Sequence, residues 1–353
     1  MKALIAMSGG VDSSVAAYLT KEMGYDCVGC TMKLFENEDA GVPKDKACCS
    51  LEDSEDARSV AYRIGMPFYV FNFKEEFRRT VIDAFVDSYR HGRTPNPCID
   101  CNRYLKFGKL FQRAQELGCD VVVTGHYARI GKQGEKYVLR KALDESKDQS
   151  YVLYSLTQEQ LAHTLFPLGG MPKTETRAIA EREGFLNANK PDSQDICFVP
   201  DGDYAGFISR FAGITPEEGD FLDLSGKVLG RHKGVISYTV GQRKHLGISL
   251  GKPAYVVSKD AAANTVTLGD ESDLYTKTLI ADDFNLISVA ELTEPMRVTA
   301  KTRYSQHEQP AVVTCLGDGR YMVEFDEPQR AVTSGQAVVL YDGDIVVGGG
   351  TII

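Results

Sequence analysis

Two groups of residues in this 353-residue chain have types and spacings suited to chemistry. The first is Ser8-Gly9-Gly10-Val11-Asp12-Ser13-Ser14. Glycines reach backbone angles that other residues avoid, so such a loop can turn its amides outward as a cradle for an anion. Three serine hydroxyls add donors. The loop holds no lysine, so it is not the GxxxxGK[ST] phosphate loop, and it lacks the GxGxxG dinucleotide fingerprint. The second group is cysteines. Cys98 and Cys101 form a CxxC in TPNPCIDCN (94–102), and Cys197 stands alone in DSQDICFV (192–199). Pro95 and Pro97 stiffen the first segment. A helix expected over 102–117 puts Cys101 near a helix N-terminus, where the dipole favours thiolate. A CxxC can also be two incidental thiols or half a zinc site, but no second CxxC or His pair completes a tetrahedral set. The polar neighbours of Cys197, namely Ser193, Gln194 and Asp195, argue against a plain core residue.

These residues need a scaffold, and the surrounding pattern supplies one. Apolar runs at 3–7, 27–32, 68–72 and 120–125 read as buried strands. Between them fall helical patterns at about 12–23, one opened by the capping-box spacing of Ser50 and Asp53 and running to about Ile64, 74–90 and 102–117. Alternation of this kind predicts α/β architecture with a doubly wound parallel sheet, the glycine-rich loop lying between the first strand and the first helix. Residues 127–141 read as a hairpin around Gly131–Gly134, with helices near 157–165 and 173–183. Past 204 the chain is mixed and rich in glycine. Past 280 short alternating segments such as MRVTAKTRY, AVVTCL and RYMVEF predict a small β-barrel or sandwich. The expected domains are 1–200, 201–278 and 279–353.

Composition narrows the function class. A net charge of −9 argues against a general nucleic-acid coat protein. It leaves room for local basic surface, because fields are screened over about 10 Å. No apolar run approaches the ~20 residues that span a bilayer. The opening MKALIAM reads as a strand, not a leader, so a cytoplasmic protein is expected. Nine cysteines, an odd number, without an export signal disfavour a disulfide framework. Cys27, Cys30, Cys119 and Cys315 read as packing residues; Cys48-Cys49 reads as structural or redox-active.

SGGVDSS resembles the pyrophosphate loop of N-type ATP pyrophosphatases, which split ATP to AMP and pyrophosphate. With it, TPNP…CN, TGHYAR, KDQSYVL and SQDICFV occur in one order along the chain. Together they resemble the MnmA family of tRNA-specific 2-thiouridylases over essentially the whole length. The resemblance implies a nucleotide alpha hydrolase-like first domain, a small central domain and a C-terminal barrel that meets tRNA. It implies ATP-dependent adenylation of the wobble uridine C2 oxygen, then sulfur transfer from a cysteine persulfide to give 2-thiouridine. By motif position Cys101 is the nucleophile and Cys197 the persulfide carrier. ATP would meet Ala6, Met7, Ser8, Gly9, Gly10, Val11, Asp12, Ser13, Met32 and Gly125, with Asp12 binding Mg2+ or orienting phosphates. The last two lie at the carboxyl ends of strands, where α/β sheets bind ligands. The tRNA would meet Asn96, Cys98, His126, Lys147, Asp148, Gln149, Arg303, Tyr304 and Gln336. A sulfur-relay protein or cysteine desulfurase would supply the persulfide; no membrane or DNA partner is expected. One departure matters: many members carry Asp where this chain has Cys98. Asp100, Asp195 or water would then do acid–base work, or Cys98, Cys101 and Cys197 would hold a 4Fe-4S cluster with one open iron position.

Two basic stretches fit phosphate contacts. Residues 90–113 carry Arg90, Arg93, Arg103, Lys106, Lys109 and Arg113 against Asp100, a local charge of +5. Residues 227–247 carry Lys227, Arg231, Lys233, Arg243 and Lys244 and no acid, again +5. Tyr238 and His245 interleave there as candidates for stacking or hydrogen bonding to RNA. Two rival readings are another adenylating synthetase, which would not need paired cysteines, and a nucleotide-sensing RNA-binding protein whose cysteines are dispensable.

Overall fold

A computed structural model describes residues 1–36, 51–192 and 196–353. Cys48, Cys49, Ser50, Ser193, Gln194 and Asp195, singled out in the sequence, lie outside the described residues. The first unit is built on a parallel five-stranded sheet. Its strands are β1 (Lys2–Ala6), β2 (Asp26–Lys33), β3 (Phe68–Asn72) and β4 (Val121–Val123). After β4 comes a hairpin of β5 (Arg129–Gln133) and β6 (Lys136–Arg140), and then β7 (Thr164–Leu165) completes the sheet in the order β3-β2-β1-β4-β7. Each pairing is parallel. The two-residue β7 was not expected; TL is too short to show a period.

The period of two within β1 decides the layers. Ala3 and Ile5 pack on one face with Val15 and Ala16 of helix α1 (Val11–Glu22), Ala57 of helix α2 (Leu51–Arg63) and Ile179. Leu4 packs on the other face with Phe77, Phe85, Leu105 and Leu110. A sheet covered on both faces needs strands apolar throughout, which the sequence shows. The chain order reverses between β2 and β4 across β1, so the loop after β1 opens at a topological switch point.

The helix expected over 102–117 begins earlier. Pro97–Asp100 forms its first turn, capped by the Asn96 side chain, which accepts from the Cys98 amide at 3.1 Å. Pro at the first helical position favours this start. Cys101–Lys109 continues as a π-helical segment, with Leu110 N–H donating to Leu105 O, and Leu110–Glu116 closes the rod. A second π segment, Arg78–Ile82, interrupts the 74–90 helix.

A four-stranded sheet follows, in the order Tyr255–Asp260, Thr265–Gly269, Gly219–Leu222, Val228–His232. It is packed around Phe221, Tyr238, Val256 and Val266. The helix Tyr204–Ala212 before it sends Phe207 and Ile208 into the core of the first unit. The last strands, between Tyr275 and Ile352, are antiparallel and close into a barrel through pairing of Tyr275–Leu286 with Ile345–Ile352. Its wall docks on the first unit through one shared core of Ile99, Phe107, Tyr151, Leu153, Ala337, Val339 and Tyr341. The β5–β6 hairpin joins the barrel sheet at Arg140–Ile345, and Asp344 accepts from both Arg129 and Arg140.

Candidate active site

The loop after β1 takes its shape from Gly9, at φ +82°; a Cβ there would lie 2.4 Å from Asp53 O. The serines divide their roles. Ser13 and Ser14 are buried and donate to Gly10 O at 2.9 and 3.1 Å, and Asn187 Nδ2 bonds to Gly9 O and Ser14 Oγ. Two of the three hydroxyls expected to face an anion therefore brace the loop instead; Ser8 is exposed. Gly125, just past β4, comes so close to α1 that a Cβ would lie 2.7 Å from Ser13 N.

The loop has its lysine after all, from far along the chain. Lys173, 8% exposed, sets Nζ 2.6 Å from Asp12 Oδ1 and 2.8 Å from Asp192 Oδ1. Tyr127 OH, 2.8 Å away, also donates to Asp12 Oδ1. Asp12, which the resemblance assigns to Mg2+ or to orienting phosphates, thus holds an ammonium here. Asp192 gathers Lys173, Lys147 and Arg177. Burial alone would raise its carboxyl, but hydrogen bonds from Lys173 and Lys147 outweigh that and hold it at about 2. Neither Lys173 nor Asp192 was read as part of the site; the only signal was a lysine opening a helical pattern.

One cavity of about 380 Å³ collects the candidates. Ala6, Met7, Ser8, Asp12, Ser13, Met32 and Gly125 line it, and so do Cys98, Cys101, Cys197, His126 and Gln149. Gly9 and Gly10 lie in the same loop and Val11 opens α1, but these three do not line the cavity. Lys106, expected among the phosphate contacts of the 90–113 stretch, lines it as well; Thr31, Thr124 and Cys30 line it too and were missed as site residues. Cys30, expected to be packing, is fully buried. Cys27 and Cys119 are buried as expected, whereas Cys315 is exposed.

The thiols are not set as the sequence suggested. Cys101 lies one turn inside the helix, half-buried, and burial pushes its thiol up to about 11 despite the opposing Lys106 ammonium. The expected dipole-stabilised thiolate is therefore overturned: the helix start shifted to Pro97, and desolvation disfavours the charge. Asp100, its neighbour, is raised by burial to about 6, with Arg103 opposing. Cys98 is exposed and Cys197 half-buried. Phe198 fixes the chain beside Cys197, its ring centroid 5.1–5.7 Å from those of Phe77, Phe85 and Phe207. Among the described residues no group of three His, Cys, Asp or Glu side chains is placed to hold a single metal ion.

His126 is buried, and burial together with Lys106 keeps its imidazole well below the usual range, hence neutral. Lys106 Nζ lies 3.4 Å from Nε2. An ammonium can only donate, so Nε2 accepts and Nδ1–H faces Thr124 Oγ1 at 2.7 Å.

Several residues expected to meet tRNA are engaged within the protein. Lys147 pairs with Asp192, and Asp148 accepts from Ala142 N and Ser150 Oγ. Gln149 accepts from Tyr127 N, Gln336 donates to Thr94 O, and Arg303 donates to Ala331 O. Tyr304 is exposed. The 90–113 stretch loses much of its charge to Asp283, Glu76 and Glu116, which pair with Arg103, Lys109 and Arg113. In the second stretch Arg231 pairs with Asp220, while Arg243, Lys244 and His245 are exposed. Tyr238 is buried and bonds to Leu246 O, so it does not offer its face to RNA.

Three family models match. They are described as a tRNA methyl transferase HUP domain over residues 1–201, a tRNA methyl transferase PRC-barrel domain over 206–270 and an aminomethyltransferase beta-barrel domain over 276–352. A tRNA-specific 2-thiouridylase MnmA of Clostridioides difficile is 53% identical over 353 residues, covering 99% of this chain and 98% of that protein. One of Acetivibrio thermocellus is 53% identical over 354 residues, covering 99% of each. Among solved structures, a 4-thiouridine synthetase–RNA complex with bound ATP overlaps at 20% identity and a TM-score of 0.33, covering 56% of this chain and 45% of that one.

Proposed function

The chain belongs to the tRNA-specific 2-thiouridylase family, and from that premise we propose that it adenylates the C2 oxygen of a wobble uridine and replaces that oxygen with cysteine-borne sulfur. It is a tRNA uridine 2-sulfurtransferase with a nucleotide-binding first domain. The observation that carries the finer reading is the shared cavity: phosphate-loop residues and the thiols of Cys101 and Cys197 line one space. Activation and sulfur delivery then need no transfer between distant sites.

In the proposed sequence the uridine oxygen attacks the α-phosphorus of ATP and pyrophosphate leaves. The loop amides and the Lys173–Asp12 pair orient the phosphates. The terminal sulfur of a Cys197 persulfide attacks C2, and AMP departs with the oxygen. Cys101 gives up its proton and attacks the Cys197 sulfur, forming a disulfide and freeing the 2-thiocarbonyl. Asp100 is the base beside it. An external dithiol returns two electrons to reset the pair. The persulfide comes from a sulfur-relay protein or cysteine desulfurase, and the tRNA substrate puts the reaction in the cytoplasm. Mg2+, if engaged by Asp12, would neutralise phosphate charge there. No described helix is long and apolar enough to cross a membrane.

The test is incubation with tRNA, ATP, Mg2+ and a persulfide source. Nucleoside mass spectrometry should find sulfur at uridine C2. Without reductant, peptide mapping should find Cys101 bridged to Cys197, and Cys101→Ser should leave a persulfide on Cys197. Cys98→Ala should keep substantial activity. An inactive Cys98→Ala protein whose wild type binds stoichiometric iron would overturn the persulfide route.

A further inference from the structure

We infer that the C-terminal barrel is a positioning element for the thiol-bearing segment: Asp283 and the 334–336 turn hold residues 94–103 from both ends and so set where Cys101 stands. The inference rests on Cys101 being the reactive thiol of the function proposed above.

Upstream of the CxxC, Thr94 N donates to Ser334 O at 2.9 Å, and Gln336 Nε2 donates to Thr94 O at 2.7 Å. Thr94 is thereby bonded to the barrel through both its backbone groups. The residue between, Gly335, sits at φ +88°, and a Cβ there would lie 2.9 Å from Arg93 Cβ and from Thr94 N. The two chains approach as closely as a glycine permits.

Downstream, Arg103 clasps the Asp283 carboxylate with both terminal nitrogens, NH2 lying 3.0 Å from Oδ1. Asp283 is a non-glycine at φ +45°, within a register shift between Asp282 and Asn285 of the strand Tyr275–Leu286. Bulges re-aim side chains out of the ladder. A left-handed aspartate persists where its surroundings hold it, and here Arg103 does so. Two residues on, Asn285 Nδ2 donates to Tyr154 O and Leu156 O. The nearby Val152 O accepts from the buried Asn102, the residue next to Cys101. Barrel contacts thus reach the segment before Cys98, after Cys101, and through the 152–156 stretch behind it.

The experiment uses the full chain without RNA, ATP or sulfur donor, so its failure is separable from failure of the sulfur-transfer reading. Asp283→Gly removes the carboxylate while suiting the positive φ; Asp283→Asn keeps an acceptor and tolerates that φ; Gln336→Ala releases the other end. Iodoacetamide labelling of Cys101 is followed by peptide mapping, with exposed Cys315 as the internal standard, alongside hydrogen exchange. Cys101 labelling should rise about threefold to tenfold in Asp283→Gly and less in Asp283→Asn. Cys315 should be unchanged, and exchange should quicken over 97–109 while the barrel strands stay protected. Wild-type labelling and exchange in both Asp283→Gly and Gln336→Ala would overturn the inference. So would a uniform loss of protection across the barrel, which would make the effect one of folding.

Discussion

Lys173 places its ammonium 2.6 Å and 2.8 Å from the two carboxylate oxygens of Asp12, across 161 positions of sequence. The same nitrogen reaches Asp192, on the segment that leads to Cys197. One buried cation therefore ties the loop after β1, at Asp12, to Asp192, five residues before Cys197.

Lys173→Met should cut tRNA-dependent pyrophosphate release by about a hundredfold, the scale for losing one aimed donor in an electrostatic site. It should also lower stability by about 2 kcal/mol, less than for a fully buried pair because Asp12 keeps some solvent. Asp12→Asn, which keeps an acceptor for Tyr127, should lose release with little loss of stability. Near-normal release from folded Lys173→Met protein would remove the lysine from the site.

Gly125→Ala should destabilise by about 1–3 kcal/mol, because the new methyl must displace backbone of α1 at Asp12 and Ser13. Gly170→Ala, whose Cβ meets nothing within 4 Å, is the control and should change stability little. Chemical denaturation of both variants decides. Equal midpoints would mean that the strand end and the loop are not locked together.

RNA binding should depend on the second basic stretch more than on the first. Arg243→Glu and Lys244→Glu should each lower the slope of log affinity against log salt by roughly one, the signature of one lost phosphate contact. Arg113→Glu, which removes the partner of Glu116, should leave the slope near wild type. The opposite ranking would put the RNA along the 97–116 helix.

Acid should loosen the Lys173–Asp192 junction in a defined window. The folded carboxyl of Asp192 sits at about 2, below its ordinary 3.8. Its contribution to stability is therefore complete above about pH 4 and is lost as pH falls toward 2. Thermal melts from pH 5 to 2 should show a steeper loss for wild type than for Asp192→Asn. Parallel curves would mean that the ion cluster adds nothing.

Much of the framework was legible because its signals are short-range. Strands β1 to β4 are continuous apolar runs, α1 is marked by apolar Val15, Ala16, Leu19 and Met23 on one face with Gly24 following as a stop, and the phosphate loop is seven consecutive residues. The early helix start at Pro97 was legible in principle, since Asn-Pro is a cap followed by a favoured first residue. The π segment at Cys101–Lys109 was not, because no periodicity or cap in its residues marks one.

The amino-acid sequence by itself determined which chemistry is on offer: an anion-cradling loop after a buried strand, a CxxC on a stiffened segment, and a third cysteine far downstream. Each of these is written in adjacent residues, so local backbone preference and hydrophobic period suffice to read it. Only the tertiary structure decided which charges remain available and which state the thiols take. Arg103 meets Asp283 across 180 positions and Lys173 meets Asp12 across 161, so a stretch of sequence charge does not foretell a surface charge. Likewise Cys101 follows its burial, not its place in the motif, because the cost of desolvating a thiolate depends on everything packed around it.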